Sequence, residues 1–196
     1  MTFANSQRHP TERDAILTLQ TERLILYALS RDQLDLALNH VDHLARDLNI
    51  HVTENVFAEE SRSAMLIKIS RMDHVDRRQH VWYTYFLLVR AEDRQAVGVC
   101  GFKGAPTLLG AVELGYAMEE SARNHGYMTE AVRALIRWAF QHENCRRVTA
   151  ETLRENYASQ RVLQKAGLEL ERSAGTMLFW KIDRDDSQDS TGWMAP

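Results

Sequence analysis

Strands come first in this chain, and strand and helix then alternate. That order predicts an α/β (α+β) domain built on one mixed sheet with helices on its faces. Three observations carry the prediction. Segments 81–89 and 97–102 are rich in β-branched and aromatic residues and flank a charged turn, which predicts an antiparallel pair. Residues 128–142 set Ala131, Val132, Leu135, Ile136 and Ala139 on one stripe, the spacing of a helix packed on a sheet. Segments 147–153, 156–166, 168–172 and 177–182 then read strand, helix, strand, strand.

The remaining elements follow in order. Leu24-Ile25-Leu26-Tyr27 reads as a buried strand. Asp32 is placed to cap a helix carrying Leu34, Leu36, Ala37 and Leu38. A second helix is expected over 59–72, with Ala64, Met65, Ile67 and Ile69 along it. Gly101, Gly104 and Pro106 end the 97–102 strand, and a third strand follows over 111–118. Asn156 stands as the cap of the last helix and Gly167 just past its end.

The chain has 196 residues, 44% of them hydrophobic, enough for one domain with its own core. The polar stretch 1–14 and the charged, Ser/Gly-rich 183–196 read as flexible tails around a single domain over 15–182. A net charge of -3 gives no reason to expect nucleic acid as a partner, and Arg77-Arg78 and Arg146-Arg147 read as solvated faces. Two cysteines, Cys100 and Cys145, make no disulfide framework and suit a reducing compartment as packed thiols. No apolar run is long enough to cross a bilayer, and the N-terminus lacks the apolar stretch of a secretory signal. A cytoplasmic location without a membrane partner is therefore expected. His40 and His43 sit at helical spacing with no evident third ligand, so no metal is expected.

The chemistry concentrates in 113–168. A strand runs into Arg123-Asn124-His125-Gly126-Tyr127-Met128, where a helix begins. A helix start exposes unpaired N–H groups and the positive end of its dipole, a natural place for a diphosphate. Gly126 holds no side chain against such a ligand, and Arg123 and His125 add positive charge. In the preceding strand Val112, Leu114, Tyr116 and Met118 alternate with Glu113, Gly115 and Ala117. One face is thus built for a core, while the other sets a carboxylate beside small residues, at the floor of a cleft or simply in solvent.

Together, 113–118, 123–131 and the later Asn156-Tyr157-Ala158-Ser159, Arg161-Val162-Leu163, Lys165-Ala166-Gly167-Leu168 resemble the GNAT superfamily of N-acetyltransferases. Thr21-Glu22-Arg23-Leu24-Ile25-Leu26 is similar to the start of its ribosomal-protein N-acetyltransferase branch, the RimJ/RimL-like proteins. The resemblance spans residues 21–182. It implies a mixed, mostly antiparallel central sheet of about six to seven strands with helices on both faces. It also implies acetyl-CoA as co-substrate. Arg123, Asn124, His125, Gly126, Tyr127 and Met128 would form the pyrophosphate loop. Ala117 and Met118 would hold the pantetheine arm by main-chain bonds. Asn156 would meet the pantetheine or thioester end, and Ser159 and Arg161 the phosphate and adenosine side. Two positions depart from the pattern: Met128 replaces a Gly or Ala, and Leu163 stands where some members place an acidic Tyr.

Acetyl transfer needs a neutral amine, and an α-amine (pKa ~7.7–8.0) reaches that state far more readily than a lysine (~10.4). Glu113 is the expected proton acceptor, with main-chain N–H groups near Met118 facing the oxyanion. The branch resemblance points to a protein or peptide N-terminal amine as acceptor, with 32–72 and 173–176 building its pocket. His51, Glu54 and Trp82 are further pocket residues to examine. A non-catalytic acyl-CoA sensor and a small-molecule (antibiotic or polyamine) acetyltransferase remain open alternatives, as do monomer and homodimer.

Overall fold

The chain forms β1 (Thr18–Gln20), β2 (Leu24–Ala28), α1 (Arg31–Asn39), α2 (Val41–Leu48), α3 (Glu59–Met72), β3 (Phe86–Arg90) and β4 (Ala96–Phe102). It continues through β5 (Ala111–Met118), α4 (Tyr127–Phe140), β6 (Arg147–Leu153), α5 (Tyr157–Ala166), β7 (Glu169–Ala174) and β8 (Met177–Asp183). These elements come from a computed structural model that describes residues 17–185. The strands form one sheet in the order β1-β2-β3-β4-β5-β6-β8-β7. Every neighbouring pair is antiparallel except β5–β6. The mixed, mostly antiparallel architecture matches the expected fold class, with eight strands. The added one, β1, has three residues, too few to show a period.

Each face of the sheet has its own core. On one, α4 and α5 pack Val132, Leu135 and Leu163 against Leu26, Phe86, Val112 and Val148. On the other, α1–α3 place Leu34, Leu44 and Met65 over Leu87 and Val99. That second core takes no residue from β6, β7 or β8, and Glu151 and Leu153 on the same face are exposed. Half of this face is therefore free of helices. No helix among the described residues is long and apolar enough to cross a membrane.

Several local details differ from the sequence expectation. Ser30, not Asp32, caps α1: its hydroxyl accepts from Gln33 N–H while the Gln33 side chain accepts from Ser30 N–H. Val81 and Trp82, expected in a strand over 81–89, instead end a 3-10 turn over 77–82 started by Asp76 accepting from Arg78 N–H, and the strand begins at Phe86. This turn carries Trp82 into the core, 4.6 Å from the Trp138 ring. Asn156 and Gly167 bound α5 as the sequence predicts. Asn156 accepts from Ser159 N–H at 3.0 Å, and Gly167 leaves α5 at φ 100°, where a side chain would be strained. β8 runs one residue past the expected domain end, and Asp183 pairs with Arg147 at 2.5 Å. The expected tail 1–14, and residues 186–196 of the expected tail 183–196, lie outside the described residues.

Lys68 of α3 fixes where β3 begins. Its ammonium donates to the carbonyls of Thr84 (3.2 Å) and Phe102 and lies 4.5 Å from the centre of the Tyr85 ring. Burial pushes its pKa down to about 7. The unfolded chain therefore binds more protons between pH ~7 and ~10.5, so this group's contribution is complete above that window and lost as pH falls through it. Stability measured by urea unfolding is expected to rise from pH 7 to 9.5 by up to about 1.4 kcal/mol per pH unit more steeply in wild type than in Lys68→Met. Equal slopes would show that Lys68 keeps its proton in the fold.

Candidate active site

The parallel ladder between β5 and β6 is short. It joins Ala111 to Leu114 with Arg147 to Ala150 and then stops, although β5 continues to Met118 beside β4 and β6 continues to Leu153 beside β8. The two strands part after Leu114 and Ala150, leaving a wedge that opens into a cleft of about 780 Å³. Glu113 O accepts from Lys103 N–H and Glu119 N–H donates to Val97 O, so the odd-numbered residues of β5 bond to β4. The even-numbered Tyr116 and Met118 consequently turn their main-chain groups toward β6 and the wedge. Ala117 is committed to β4. Its carbonyl lies so close over Gly98 that a Cβ there would approach it to 2.5 Å.

The mouth of the wedge is the start of α4. Asn124 (φ 67°) and Gly126 (φ 81°) both take left-handed backbone conformations, and none of the amides of residues 124–129 finds an acceptor among the described residues. Alternating handedness at a helix N-terminus is the geometry that gathers N–H groups into a concavity suited to an anion. Arg123, Arg161 and Lys165 add positive charge along the cleft. Beyond Gly126 and Lys165 a second hollow of about 480 Å³ carries Arg23, Arg133 and Arg137.

A clamp from the start of the fold holds this loop. Arg23 donates to His125 O (2.9 Å) and to Glu130 Oε2 (2.8 Å), and its guanidinium sits 4.8 Å from the centre of the Tyr127 ring. Glu130, in the first turn of α4, also accepts from Thr21 Oγ1 (2.6 Å) and Arg23 N–H (2.9 Å). Burial pushes the Glu130 carboxyl up, but these hydrogen bonds and the Arg23 charge outweigh it and hold the pKa below the ordinary value.

All of the expected cofactor contacts except His125 line the cleft. The His125 ring instead stacks on Tyr127 and bonds Arg123 O at 2.8 Å. The Met128 side chain is 6% exposed and packed in the core, so its bulk is taken up there. Leu163 is fully buried. Sequence reasoning missed Tyr116, which lines the cleft and donates to Ser159 O at 3.1 Å, and it missed the Thr21–Arg23–Glu130 clamp. Thr21 and Arg23 lay in a motif noted only for its resemblance.

Glu113 does not line the cleft. It lies on the face that α1–α3 cover only in part, opposite Thr149, and is ion-paired with Lys103, whose carbonyl accepts from Arg71 of α3. Of the other residues singled out for an acceptor pocket, Glu54 lines a cavity of about 830 Å³ that shares Ala58, Met118 and Arg123 with the cleft. His51 bridges to Gln95, and Trp82 is buried among core aromatics, so neither reaches that cavity. The turn joining β7 to β8 has only Gly175 and Thr176. Cys100 and Cys145 are buried outside the cleft lining.

Residues 23–169 match the family model described as acetyltransferase (GNAT) domain. The chain is 35% identical over 95 residues to the uncharacterized N-acetyltransferase YjdG of Bacillus subtilis (strain 168), a match covering 48% of this chain and 56% of that protein. It is 26% identical over 170 residues to the uncharacterized N-acetyltransferase p20 of Bacillus licheniformis, covering 82% of this chain and 91% of that protein. The fold is similar to ribosomal-protein-S5-alanine acetyltransferase from Vibrio fischeri, with TM-score 0.60, 18% identity, and 87% and 98% of the two chains covered. It is also similar to the ribosomal L7/L12 alpha-N-protein acetyltransferase RimL solved with coenzyme A, with TM-score 0.59, 17% identity, and 85% and 98% covered.

The clamp gives a prediction about binding. Glu130→Gln should weaken coenzyme A binding, measured by calorimetry, by roughly tenfold through loss of loop pre-organisation, with cooperative unfolding retained. Arg23→Lys should fall between wild type and Arg23→Ala. A coenzyme A affinity that is the same in all four proteins would deny the clamp this role.

Proposed function

The chain belongs to the acetyltransferase (GNAT) family, and on that premise we propose that it moves an acetyl group from acetyl-CoA to a primary amine in a ternary complex. The observation that carries this reading is the wedge between β5 and β6, which ends on the free amides at the start of α4. The diphosphate would sit on those amides with Arg123 beside it. The pantetheine arm, itself a chain with amide groups, would take the place of a missing strand against the main chain of Tyr116 and Met118. Asn156 keeps its side-chain NH₂ available to the arm, because its oxygen is occupied in capping α5.

In the reaction the amine nitrogen bonds to the thioester carbonyl carbon and the carbon–sulfur bond breaks. The proton lost by the ammonium goes to Glu113, directly or through a water, and coenzyme A leaves as thiolate and takes a proton from solvent. Main-chain N–H at Met118 faces the oxyanion. Most of the acceleration comes from holding the two substrates together. The acceptor we favour is a protein or peptide N-terminal amine. The likeness to the L7/L12 alpha-N-protein acetyltransferase and the narrow β7–β8 turn, which leaves the approach uncovered, support it.

Two measurements test the reading. Gly126→Trp should abolish the acetyl-CoA binding seen in wild type by calorimetry, because any Cβ at φ 81° is strained and a large one fills the amide concavity. Absence of binding in wild type would remove the transferase reading altogether. Glu113→Gln should lower kcat/KM by about a hundredfold at pH 7, within the range of general-base catalysis, and the deficit should shrink as pH approaches the amine pKa. A full rate across pH would exclude Glu113 from the mechanism.

A further inference from the structure

The parting of β5 and β6 places a second carboxylate where the acetyl group would emerge. An arm entering at α4 can travel no further than Leu114 and Ala150, where the ladder closes. The first residues past that point are Gly115 on β5 and Glu151 on β6, and side chains at both positions belong to the helix-free face. The opposite face is covered by α4 and α5, so an amine must arrive from the helix-free side. Gly115 leaves room for it. A Cβ built there would meet only the Lys103 chain, at 4.0 Å.

Several charges on this face are paired, although among the described residues Glu169, the β7 partner of Lys181, is not. Glu113 is held by Lys103, Glu171 by Arg147 (3.3 Å) and Lys181 (3.7 Å), and Asp183 by Arg147 (2.5 Å). Arg172 lies over the ring of Phe179, the β8 partner of Glu151, with its guanidinium carbon 3.4 Å from the ring centre. The Glu151 side chain has no hydrogen-bond or ion-pair partner among the described residues. We propose that Glu151 binds the ammonium of the incoming acceptor and holds it over Gly115, while Glu113, one step back along the same face, takes the proton. The site therefore selects cationic primary amines, and Glu151 is an acceptor-binding residue.

This assignment rests on the transferase reading. Its test uses the full chain, acetyl-CoA, and three amine probes: butylamine, an alanyl tripeptide amide and spermidine. Glu151→Gln should raise KM for the amines roughly tenfold, the scale of one lost charge-assisted hydrogen bond at an open site, with kcat changed less than twofold. The Kd for acetyl-CoA by calorimetry should stay at the wild-type value, and Glu151→Asp should recover part of the loss. An unchanged amine KM in Glu151→Gln overturns the assignment, and so does a matching loss of acetyl-CoA affinity. Wild type that binds no acetyl-CoA, or acetylates none of the probes, overturns the transferase reading and this assignment with it. That failure is recognisable because it precedes any substitution.

Discussion

The early end of the β5–β6 ladder is the constraint on which the rest of this structure depends. Backbone N–H and C=O groups inside a sheet require partners, and a strand that parts from its neighbour leaves a row of them facing a gap. Here the gap is bounded on one side by Tyr116 and Met118 and on the other by Glu151, Thr152 and Leu153, which remain paired to β8. Both strands are thus rigid up to the edge of the wedge, and the wedge cannot close by local collapse. A ligand that fits must itself be strand-like and carry amides. The chain path then supplies the other half of the site. The segment that leaves β5 must turn into α4 to cover the sheet, and this puts the free end of a helix at the mouth of the gap.

That helix end is held in place by residues more than a hundred positions away. A loop with two left-handed residues in three is costly to order, and the amides of 124–129 find no acceptor among the described residues. The Thr21–Arg23 turn offsets this by binding both sides of the loop at once: His125 O on one side and the Glu130 carboxylate on the other. Glu130 is also favourably placed against the positive end of the α4 dipole. The carboxylate pairs with Arg23 and does not line the cleft, so it anchors the helix start from outside it. β1, only three residues long, acquires a purpose in this arrangement. It pairs with β2 and sets the turn that carries the clamp.

How much of this could be seen in the sequence follows from the range of each interaction. The α4 stripe, the Asn156 cap and the Gly167 stop depend on residues a few positions apart, and all were legible. So was the helix start that follows 123–126. The phase of β5 was legible for side chains but not for the main chain. Alternation separates Glu113, Gly115 and Ala117 from their neighbours, yet which of them bonds β4 depends on the register with a strand ten or more residues away. That is why Ala117 was expected to turn its main chain toward the cleft, where the structure sets Tyr116. Trp82 misled for a related reason: an apolar, β-prone stretch reads as strand, while tertiary packing against Trp138 and the bonds from Lys68 turn it into a 3-10 segment. Glu151 was invisible as anything but a solvent-facing residue, because its position acquires meaning only where two strands separate.

The same separation bears on the choice between a transferase and a sensor built on this fold. A protein that only binds acyl-CoA needs the wedge and the amide concavity, and it gains nothing from leaving the reactive end accessible. Here the covering helices α1–α3 stop at the first half of the sheet, so the vertex of the wedge opens onto an uncovered face with two carboxylates beside it. An acyl-enzyme route has no comparable support. The Cys100 thiol is fully buried, and burial raises its pKa, which suppresses the thiolate needed for attack. Access from both faces to one point, cofactor from the α4 side and amine from the open side, is what a direct transfer requires. Leu163, where some relatives place an acid toward the departing thiolate, is buried in the core, so in this reading the thiolate takes its proton from solvent.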